Sequence, residues 1–277
     1  MREAVVTGGT AGFGFYAAVE LQRQGYDVTV VGRDAERGAE AVRAIGGGSR
    51  FVQADLSSLA EVRALGARLA AEGPLDLLVN NVGGQYPKRW ETVDGIEASF
   101  ALNYLSPVVL TSLLLDSLKE AAPSRIVEVS SSSITTLTGV PTYAGVEEDG
   151  EYYGMAATGR AKLAHLAHSL ELAGELERTG VSVIVVDPLG PAAAATPNGL
   201  AMTPELLPPE FRHLWGQIQD GLRPADAGAP AIVAAATYNW PTGSVLGPDG
   251  RPSDDLVKYL TPEISAAVRS LTDRLLG

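Results

Sequence analysis

Cysteine is absent from this 277-residue chain, histidine occurs three times, and aromatic residues make up 6% of the sequence. Without cysteine, the chain can form no disulfide, no zinc–thiolate site and no catalytic thiol. His165 and His168 lie three residues apart, but the sequence offers no further ligands beside them, so we expect no metal site.

Positive charge is also scarce. The 21 lysine and arginine residues, set against 33 aspartate and glutamate residues, give a formal net charge of −12. That balance disfavours nucleic acids and anionic membranes as partners. It also means that any bound phosphate must be held by backbone amides and a few cations.

Long apolar runs are missing as well. Residues 110–118 form an apolar stretch that is too short and too interrupted to span a bilayer. A strand pattern begins almost at the first residue, so we expect no signal peptide and a cytoplasmic protein. With 45% hydrophobic residues, the length suits one domain over residues 1–277.

Short apolar runs alternate with segments of helical spacing along the chain. We predict strands near residues 3–7, 27–31, 50–54, 75–79, 125–130, 181–187 and 243–246. We predict helices near residues 12–24, 35–45, 58–72, 93–121, 157–179, 225–237 and 261–276. This alternation indicates an α/β protein with a Rossmann-type doubly wound parallel sheet.

A glycine-rich turn follows the first strand. Residues 7–14 read Thr-Gly-Gly-Thr-Ala-Gly-Phe-Gly, and Ala17, Ala18 and Leu21 follow with helical spacing. Glycines let the backbone turn tightly and approach a pyrophosphate, and the free amides at the start of the helix face its phosphates. The strand–turn–helix context therefore predicts a dinucleotide-binding site.

The end of the second strand indicates which dinucleotide binds. NAD-specific folds of this type carry an acidic residue near this point, which holds the ribose 2′-hydroxyl. Here the strand at 27–31 is followed by Gly32 and Arg33. A guanidinium suits a 2′-phosphate, which it can grip bidentately, so the sequence favours NADPH over NADH.

Further motifs follow in order along the chain: Asp55-Leu56, Asn80-Asn81-Val82-Gly83, Asn103, Val129-Ser130-Ser131, Lys162 and Pro188-Leu189-Gly190. With this ordered set, the chain resembles the short-chain dehydrogenase/reductase superfamily from Ala4 to about Val245. The stretches 100–105 and 162–165 are most similar to the retinol-dehydrogenase-type branch. The resemblance implies a nicotinamide-dependent oxidoreductase.

The resemblance also implies a role for each matching residue. Lys162 would bind the ribose hydroxyls on the nicotinamide side, Ser131 would hydrogen-bond the substrate carbonyl, and Asn103 would hold a water in the proton relay. Together with Thr158, these residues form the catalytic set. The cofactor-binding set is Thr7, Gly8, Thr10, Gly12, Phe13, Gly14, Arg33, Asp55, Leu56, Asn81, Gly83, Lys162, Pro188, Gly190 and Thr196.

Two positions depart from the family pattern. Thr158 stands four residues before Lys162, where the family has a tyrosine, and residues 188–191 replace the usual Pro-Gly pair. The family's tyrosine gives a proton to the developing alkoxide, because its ordinary pKa of about 10 is lowered by a nearby lysine. Threonine is a far weaker acid, so Thr158 can donate a hydrogen bond but cannot readily lose its proton.

Three explanations for the missing tyrosine remain open. Another phenol could supply the proton: Tyr152 and Tyr153 lie just upstream, and Tyr104 and Tyr143 are candidates by residue type. The substrate could supply it from a phenol or enol beside the ketone, with positioning by the enzyme. The protein could instead bind NADPH as a sensor or scaffold. We favour the second explanation.

The atypical motif in an acidic, alanine-rich chain is similar to ketoreductases that tailor aromatic polyketides, such as angucyclinones, in antibiotic biosynthesis. That resemblance implies NADPH-dependent reduction of a polycyclic aromatic ketone. Angucyclinones place phenols beside quinone-like carbonyls, which fits a substrate that supplies its own proton.

Two irregular segments, residues 134–156 and about 190–224, follow the carboxyl ends of predicted strands, where ligands bind in open α/β sheets. We expect the second to form a lid over an apolar substrate. The expected substrate contacts are Ser132, Tyr153, Phe211 and Trp215. The two aromatic lid residues could instead pack in a core or an interface. The family resemblance also implies a homo-oligomer built from the helices near 93–121 and 157–179.

Overall fold

Seven strands form one sheet in which every neighbouring pair is parallel. The computed structural model describes residues 2–277. The strands are β1 (Arg2–Thr7), β2 (Tyr26–Gly32), β3 (Arg50–Gln53), β4 (Leu77–Asn80), β5 (Ser124–Val129), β6 (Val181–Val186) and β7 (Val245–Leu246). Their order is β3-β2-β1-β4-β5-β6-β7, and its reversal between β1 and β4 opens a crevice at the carboxyl ends. The predicted doubly wound Rossmann-type sheet is confirmed.

Helices cover both faces of the sheet. They are α1 (Gly12–Arg23), α2 (Ala35–Ile45), α3 (Leu59–Ala70), α4 (Ala98–Glu120), α5 (Gly154–Glu175), α6 (Pro197–Leu200), α7 (Trp215–Asp220), α8 (Ala229–Thr237) and α9 (Pro262–Leu276). Leu78 and Ile126 are buried on one face, and Val6 and Val127 are buried on the other. Because water is excluded from both faces, the strands are apolar along their length and do not alternate with polar residues.

By length and composition helix α4 is apolar enough to cross a membrane, which the shorter stretch considered in the sequence did not indicate, but 83% of its most apolar part is buried inside the described fold. The helix packs against α3, and α5 packs against α9. Within α4, residues Ala101–Leu105 form a π-helical turn. Such a turn holds one residue more than an α-helical turn and often occurs at functional sites.

Residues 190–224, called the lid below, contain more regular structure than the sequence pattern indicates. The segment includes α6, α7 and two 3₁₀ turns at Pro204–Leu206 and Pro209–Leu214. The end of the lid is tied back to its beginning, because Arg223 N donates to Ala193 O at 2.8 Å and Ala195 N donates to Arg223 O at 2.9 Å. The lid is therefore a folded unit that is closed on itself.

Candidate active site

A cavity of about 1300 Å³ lies where the carboxyl ends of β1 to β6 meet the lid. Most of the residues predicted from the sequence line it: Gly8, Thr10, Gly12, Phe13, Arg33, Leu56, Asn81, Gly83, Asn103, Ser131, Ser132, Thr158, Lys162, Pro188, Gly190, Thr196 and Phe211. The predicted residues outside the lining are Thr7, Gly14, Asp55, Tyr153 and Trp215.

The glycine-rich turn forms one end of the cavity. Gly8 and Gly12 have φ angles of 63° and 57°, which side chains disfavour, and a Cβ on Gly12 would lie 3.2 Å from Thr196 Cγ2. The turn therefore packs closely against Thr196 of the lid. Gly9 N donates to Val31 O at 3.3 Å, so the amides that could meet a phosphate are those at the start of α1.

Thr7 and Gly14 support this turn from behind instead of lining the cavity. The Thr7 hydroxyl accepts hydrogen bonds from Asn81 N at 3.0 Å and Val82 N at 3.1 Å. Gly14 leaves room for the Asn81 amide, because a Cβ there would lie 2.4 Å from Asn81 Nδ2. Both residues therefore stabilise the turn from behind, and their direct contact with the cofactor stays a prediction.

The adenosine end of the cavity carries Arg33, as predicted, but Asp55 is turned away. Asp55 Oδ1 accepts from Ser57 N at 3.0 Å and from Ser57 Oγ at 2.8 Å, so the carboxylate caps its own loop. The neighbouring Ala54 and Leu56 line the cavity in its place. The Asp55-Leu56 motif predicted where the chain meets the adenosine end of the cavity, but the local turn determines which of the two side chains faces the cavity.

Lys162 projects from α5 into the base of the cavity and is 4% exposed. Its Nζ donates to Val129 O at 2.7 Å. Burial lowers the pKa of Lys162 to about 8, and the charge of Glu128 opposes this shift. A Cβ on Gly83 would lie 3.7 Å from this Nζ, so the β4 turn passes close to the lysine.

Asn103 lies in the π-helical turn of α4 and faces the same region. Its Nδ2 donates to Gly84 O and to Ser99 O, each at 2.9 Å, and its Oδ1 accepts from Gly84 N at 3.3 Å. The side chain therefore fixes the loop after β4 against α4. Its role in a water relay stays a prediction.

Thr158 lines the cavity on α5, one turn before Lys162, and is 3% exposed. Its hydroxyl donates to Gly154 O at 2.8 Å and lies 3.2 Å from Gly84 O, a second acceptor. Ser99 Oγ lies 3.3 Å from the Thr158 hydroxyl. A hydroxyl has a single hydrogen, and the nearer acceptor for the Thr158 hydrogen is the backbone carbonyl of Gly154.

The four serines after β5, residues 130–133, also line the cavity, and two of them were predicted to contact the substrate. Ser131 Oγ accepts from Ser133 N at 3.1 Å, which leaves the Ser131 hydroxyl hydrogen available to a ligand. Ser132 Oγ donates to Gly190 O and thereby joins the β5 loop to the β6 loop. Ser131 is thus placed to donate to a carbonyl, whereas the Ser132 hydrogen is already engaged.

Asp187, which the sequence analysis missed, explains the conformation of the Pro188-Leu189-Gly190 segment. Its Oδ1 accepts from Leu189 N at 3.4 Å and from Gly190 N at 3.1 Å, and Gly190 has a φ of 60°. Burial raises the pKa of the Asp187 carboxyl, and these two backbone hydrogen bonds oppose the rise. An acidic residue directly before the Pro-Leu-Gly motif is the signal that could have identified it.

The tyrosines proposed as substitutes lie outside the cavity lining. Tyr153 hydrogen-bonds Glu151 at 2.7 Å, Tyr152 bonds Glu97 at 3.2 Å, and Tyr143 bonds Arg160 O at 2.7 Å. The Tyr104 hydroxyl bonds Thr272. The Tyr153 side chain turns towards Glu151, and its expected contact with the substrate stays a prediction.

A tyrosine that the sequence analysis missed, Tyr86, does line the cavity. It follows the β4 turn, and its hydroxyl lies 2.9 Å from the position of a Cβ on Gly84. Burial raises the pKa of Tyr86 to about 12, although the charge of Arg33 opposes the rise. The missed signal was its position three residues after the Asn80-Asn81-Val82-Gly83 motif.

One face of the lid forms an apolar wall of the cavity. Phe211, Leu214 and Ile218 line it, and their spacing follows one side of a helix. Trp215 begins α7 and lies outside this face, so its contact with the substrate stays a prediction. At the cavity mouth, Asn198 Nδ2 donates to Gly83 O at 3.2 Å and connects the lid to the β4 turn.

A buried polar network lies below the site. His165 Nε2 is 2.9 Å from Glu128 Oε2, and Asn80 Nδ2 donates to Glu128 Oε1 at 3.0 Å. His168 packs edge-on against the Tyr104 ring, and burial lowers the pKa of His168 to about 4. Within residues 2–277, no group of three metal-ligating side chains could hold a metal ion.

The family model for short chain dehydrogenase matches residues 2–199, and the chain belongs to this family of oxidoreductases. Retinol dehydrogenase 12 of Mus musculus is 37% identical over 190 residues, covering 66% of this chain and 60% of that protein. Polyprenol dehydrogenase of Mus musculus is 40% identical over 189 residues, covering 65% of this chain and 56% of that protein. The chain thus spans about 60% of the length of such curated relatives.

Solved structures of similar proteins cover almost the whole chain. An uncharacterized protein from Mycobacterium paratuberculosis aligns with a TM-score of 0.76 at 26% identity, covering 99% of this chain and 93% of that one. A short chain dehydrogenase from Burkholderia cenocepacia, in complex with NADP, aligns with a TM-score of 0.68 at 27% identity, covering 90% of this chain and 96% of that one. The chain therefore belongs to the short chain dehydrogenase family, and its fold is shared with solved members of that family, one of them in complex with NADP.

Proposed function

We propose that this enzyme is an NADPH-dependent ketoreductase that acts on a polycyclic aromatic ketone bearing its own acidic hydroxyl. Thr158 carries the proposal: it occupies the family's proton-donor position, yet its hydrogen is directed at Gly154 O, 2.8 Å away. Lys162 and Ser131 line the same cavity. The site therefore retains the groups for orientation and lacks the group for acid catalysis at that position.

The residues present fit a dinucleotide. Gly8 and Gly12 line the cavity at positive φ angles, at which side chains would be strained. Arg33 lines the cavity at the end of β2 and offers a guanidinium to a 2′-phosphate, which supports NADPH. Lys162 would hold the ribose on the nicotinamide side. When bound, the cofactor supplies the hydride.

The remaining side chains would orient the ketone and leave its proton supply to the substrate. The free hydrogen of Ser131 would donate to the carbonyl oxygen, which polarises the bond and fixes its direction. A phenol or enol next to that carbonyl would pass its proton to the oxygen as hydride arrives on carbon. Positioning alone can contribute several kcal/mol to such a reaction.

The apolar wall of the lid is an argument for a large, flat, apolar substrate. Phe211, Leu214 and Ile218 form one wall, and Met155 and Leu207 add further apolar surface to the cavity. The match to the family model ends at residue 199, within the lid. An aromatic polyketide of the angucyclinone kind, modified in antibiotic biosynthesis, has the size and the adjacent phenols that the proposal requires.

The test is NADPH consumption at 340 nm with polyaromatic ketones in matched pairs, one member with a free hydroxyl beside the carbonyl and one with it methylated. Turnover confined to the free-hydroxyl members supports the proposal. Equal turnover on both members contradicts substrate-supplied protonation and points to a protein acid, with Tyr86 and Tyr152 as the first to replace. The cytoplasmic location and the homo-oligomer stay predictions.

A second function, binding of NADPH without catalysis, is favoured by the same orientation of the Thr158 hydroxyl. It predicts a tight complex and no turnover on any ketone of the panel. The presence of Lys162 and Ser131 in the cavity lining favours catalysis, because a sensor needs neither a carbonyl donor nor a lysine beside the nicotinamide ribose.

A further inference from the structure

Arg223 is a cation that the lid contributes to the cavity. The other charged residues in its lining come from the sheet side: Arg33, Asp34, Arg37, Lys162 and Asp187. Arg223 is exposed and forms no ion pair with any side chain in residues 2–277. A free guanidinium at the wall of a cavity in a protein with net charge −12 points to an anionic ligand.

The backbone holds Arg223 close to the glycine-rich turn. Its N donates to Ala193 O at 2.8 Å, and its O accepts from Ala195 N at 2.9 Å. The next residue along, Thr196, touches that turn, because a Cβ on Gly12 would lie 3.2 Å from Thr196 Cγ2. The two hydrogen bonds therefore fix the arginine within a few residues of the turn.

The chain after Arg223 returns to the same turn. Gly228 precedes α8, and a Cβ there would lie 2.8 Å from Phe13 Cδ1. Phe13 belongs to the glycine-rich turn and lines the cavity. The segment hydrogen-bonded to Arg223 and the segment that follows Arg223 therefore both reach the glycine-rich turn, whose amides we expect to meet the phosphates.

We propose that Arg223 binds the pyrophosphate of the nicotinamide cofactor and so couples the lid to the bound cofactor. A guanidinium offers several donors in one plane, which suits two adjacent phosphate groups. The amides of the turn reach the pyrophosphate from one side, and Arg223 approaches from the lid. The inference rests on the cofactor part of the proposed function and is independent of the ketone.

The experiment compares cofactor affinity in the wild type and in Arg223→Gln, measured without ketone by the change in protein fluorescence on titration. The ligands are NADPH, NADH and adenosine 2′-monophosphate, which has the 2′-phosphate but no pyrophosphate. We expect Arg223→Gln to raise the Kd of both dinucleotides by roughly tenfold or more and to leave the monophosphate unchanged. The Kd values of Arg223→Lys for the dinucleotides should lie between those of the wild type and those of Arg223→Gln.

The matched control is Arg178→Gln, which removes the same charge from an exposed position in the turn before β6. That turn lies at the amino ends of the strands, away from the cavity at their carboxyl ends. Equal melting temperatures without ligand would show that the variants are folded. The proposal would be overturned by any of three results for Arg223→Gln. These are an unchanged affinity for both dinucleotides, an equal loss of affinity for adenosine 2′-monophosphate, and an effect confined to the KM of the ketone. If the wild type binds NADPH but reduces no ketone, the ketoreductase function is contradicted and the inference about Arg223 is unaffected.

Discussion

The Thr158 hydroxyl donates a 2.8 Å hydrogen bond to the carbonyl oxygen of Gly154, one helical turn before it. Thr158→Val removes that hydroxyl and keeps the shape of the side chain. Because the proposed reaction takes its proton from the substrate, we expect kcat to fall by less than about tenfold, whereas loss of a general acid costs about a hundredfold or more. Steady-state rates with a free-hydroxyl ketone decide between the two. A collapse of kcat with unchanged NADPH affinity would make Thr158 part of the proton path.

The paired change Tyr152→Phe and Tyr153→Phe should leave turnover near the wild-type value. Tyr152 bonds Glu97 and Tyr153 bonds Glu151, and neither lines the cavity. The measurement is kcat on the same free-hydroxyl ketone. A loss of a hundredfold would revive the conventional mechanism with a substitute phenol.

Arg33→Gln should weaken NADPH by roughly tenfold to a hundredfold and leave NADH nearly unchanged, because only NADPH carries the 2′-phosphate. Titration of both dinucleotides gives the ratio of the two Kd values. Arg43→Gln is the control, since Arg43 lies exposed on α2, the helix that follows Arg33, but outside the cavity lining. An equal loss of affinity for NADPH and NADH would show that Arg33 does not bind the 2′-phosphate.

Lys162 should make the free energy of unfolding rise with pH above about 8. Burial holds its folded pKa at about 8, against an ordinary value of 10.5, so the unfolded chain binds more protons in this window. Between pH 8 and about 9.5, the gain is roughly 2 kcal/mol. Urea unfolding at these pH values should show the rise in the wild type and in Lys258→Met, which removes an exposed lysine, but not in Lys162→Met.

His168 should destabilise the protein in acid. Its folded pKa is about 4 against an ordinary 6.5, because burial disfavours the charged ring and the neighbouring His165 adds repulsion. Stability from this residue is complete above pH 6.5 and is lost as the pH falls towards 4. Over that window, wild type should lose roughly 2 kcal/mol more than His168→Gln. An equal loss in both proteins would rule out this origin, and the exposed His213→Gln serves as control.

The strand and helix pattern was predictable because it is local. Apolar runs such as Val28 to Val31 identify strands buried on both faces, and the glycine-rich turn identifies the phosphate end without further information. Lys162 and Ser131 were predictable for a related reason, since motif order along the chain fixes which strand end each residue occupies.

The misses arose where tertiary geometry selects among neighbouring side chains. Asp55 was expected to bind the cofactor, but its own turn captures the carboxylate and leaves Leu56 facing the cavity. Trp215 was expected to contact the substrate, whereas the helical face of the lid presents Leu214 and Ile218 to the cavity. The approach of Arg223 to the glycine-rich turn depends on long-range backbone hydrogen bonds, which have no signal in the local sequence.

Asn198 Nδ2 closes the cavity mouth through its hydrogen bond to Gly83 O. A single hydrogen bond of this kind contributes only about 1 kcal/mol. Leu206 and Leu207, further along the lid, are each 1% exposed, so opening the whole lid would also expose apolar surface that is buried in the closed form. The Asn198 end should therefore separate first, and product should depart there before the leucine end of the lid has moved.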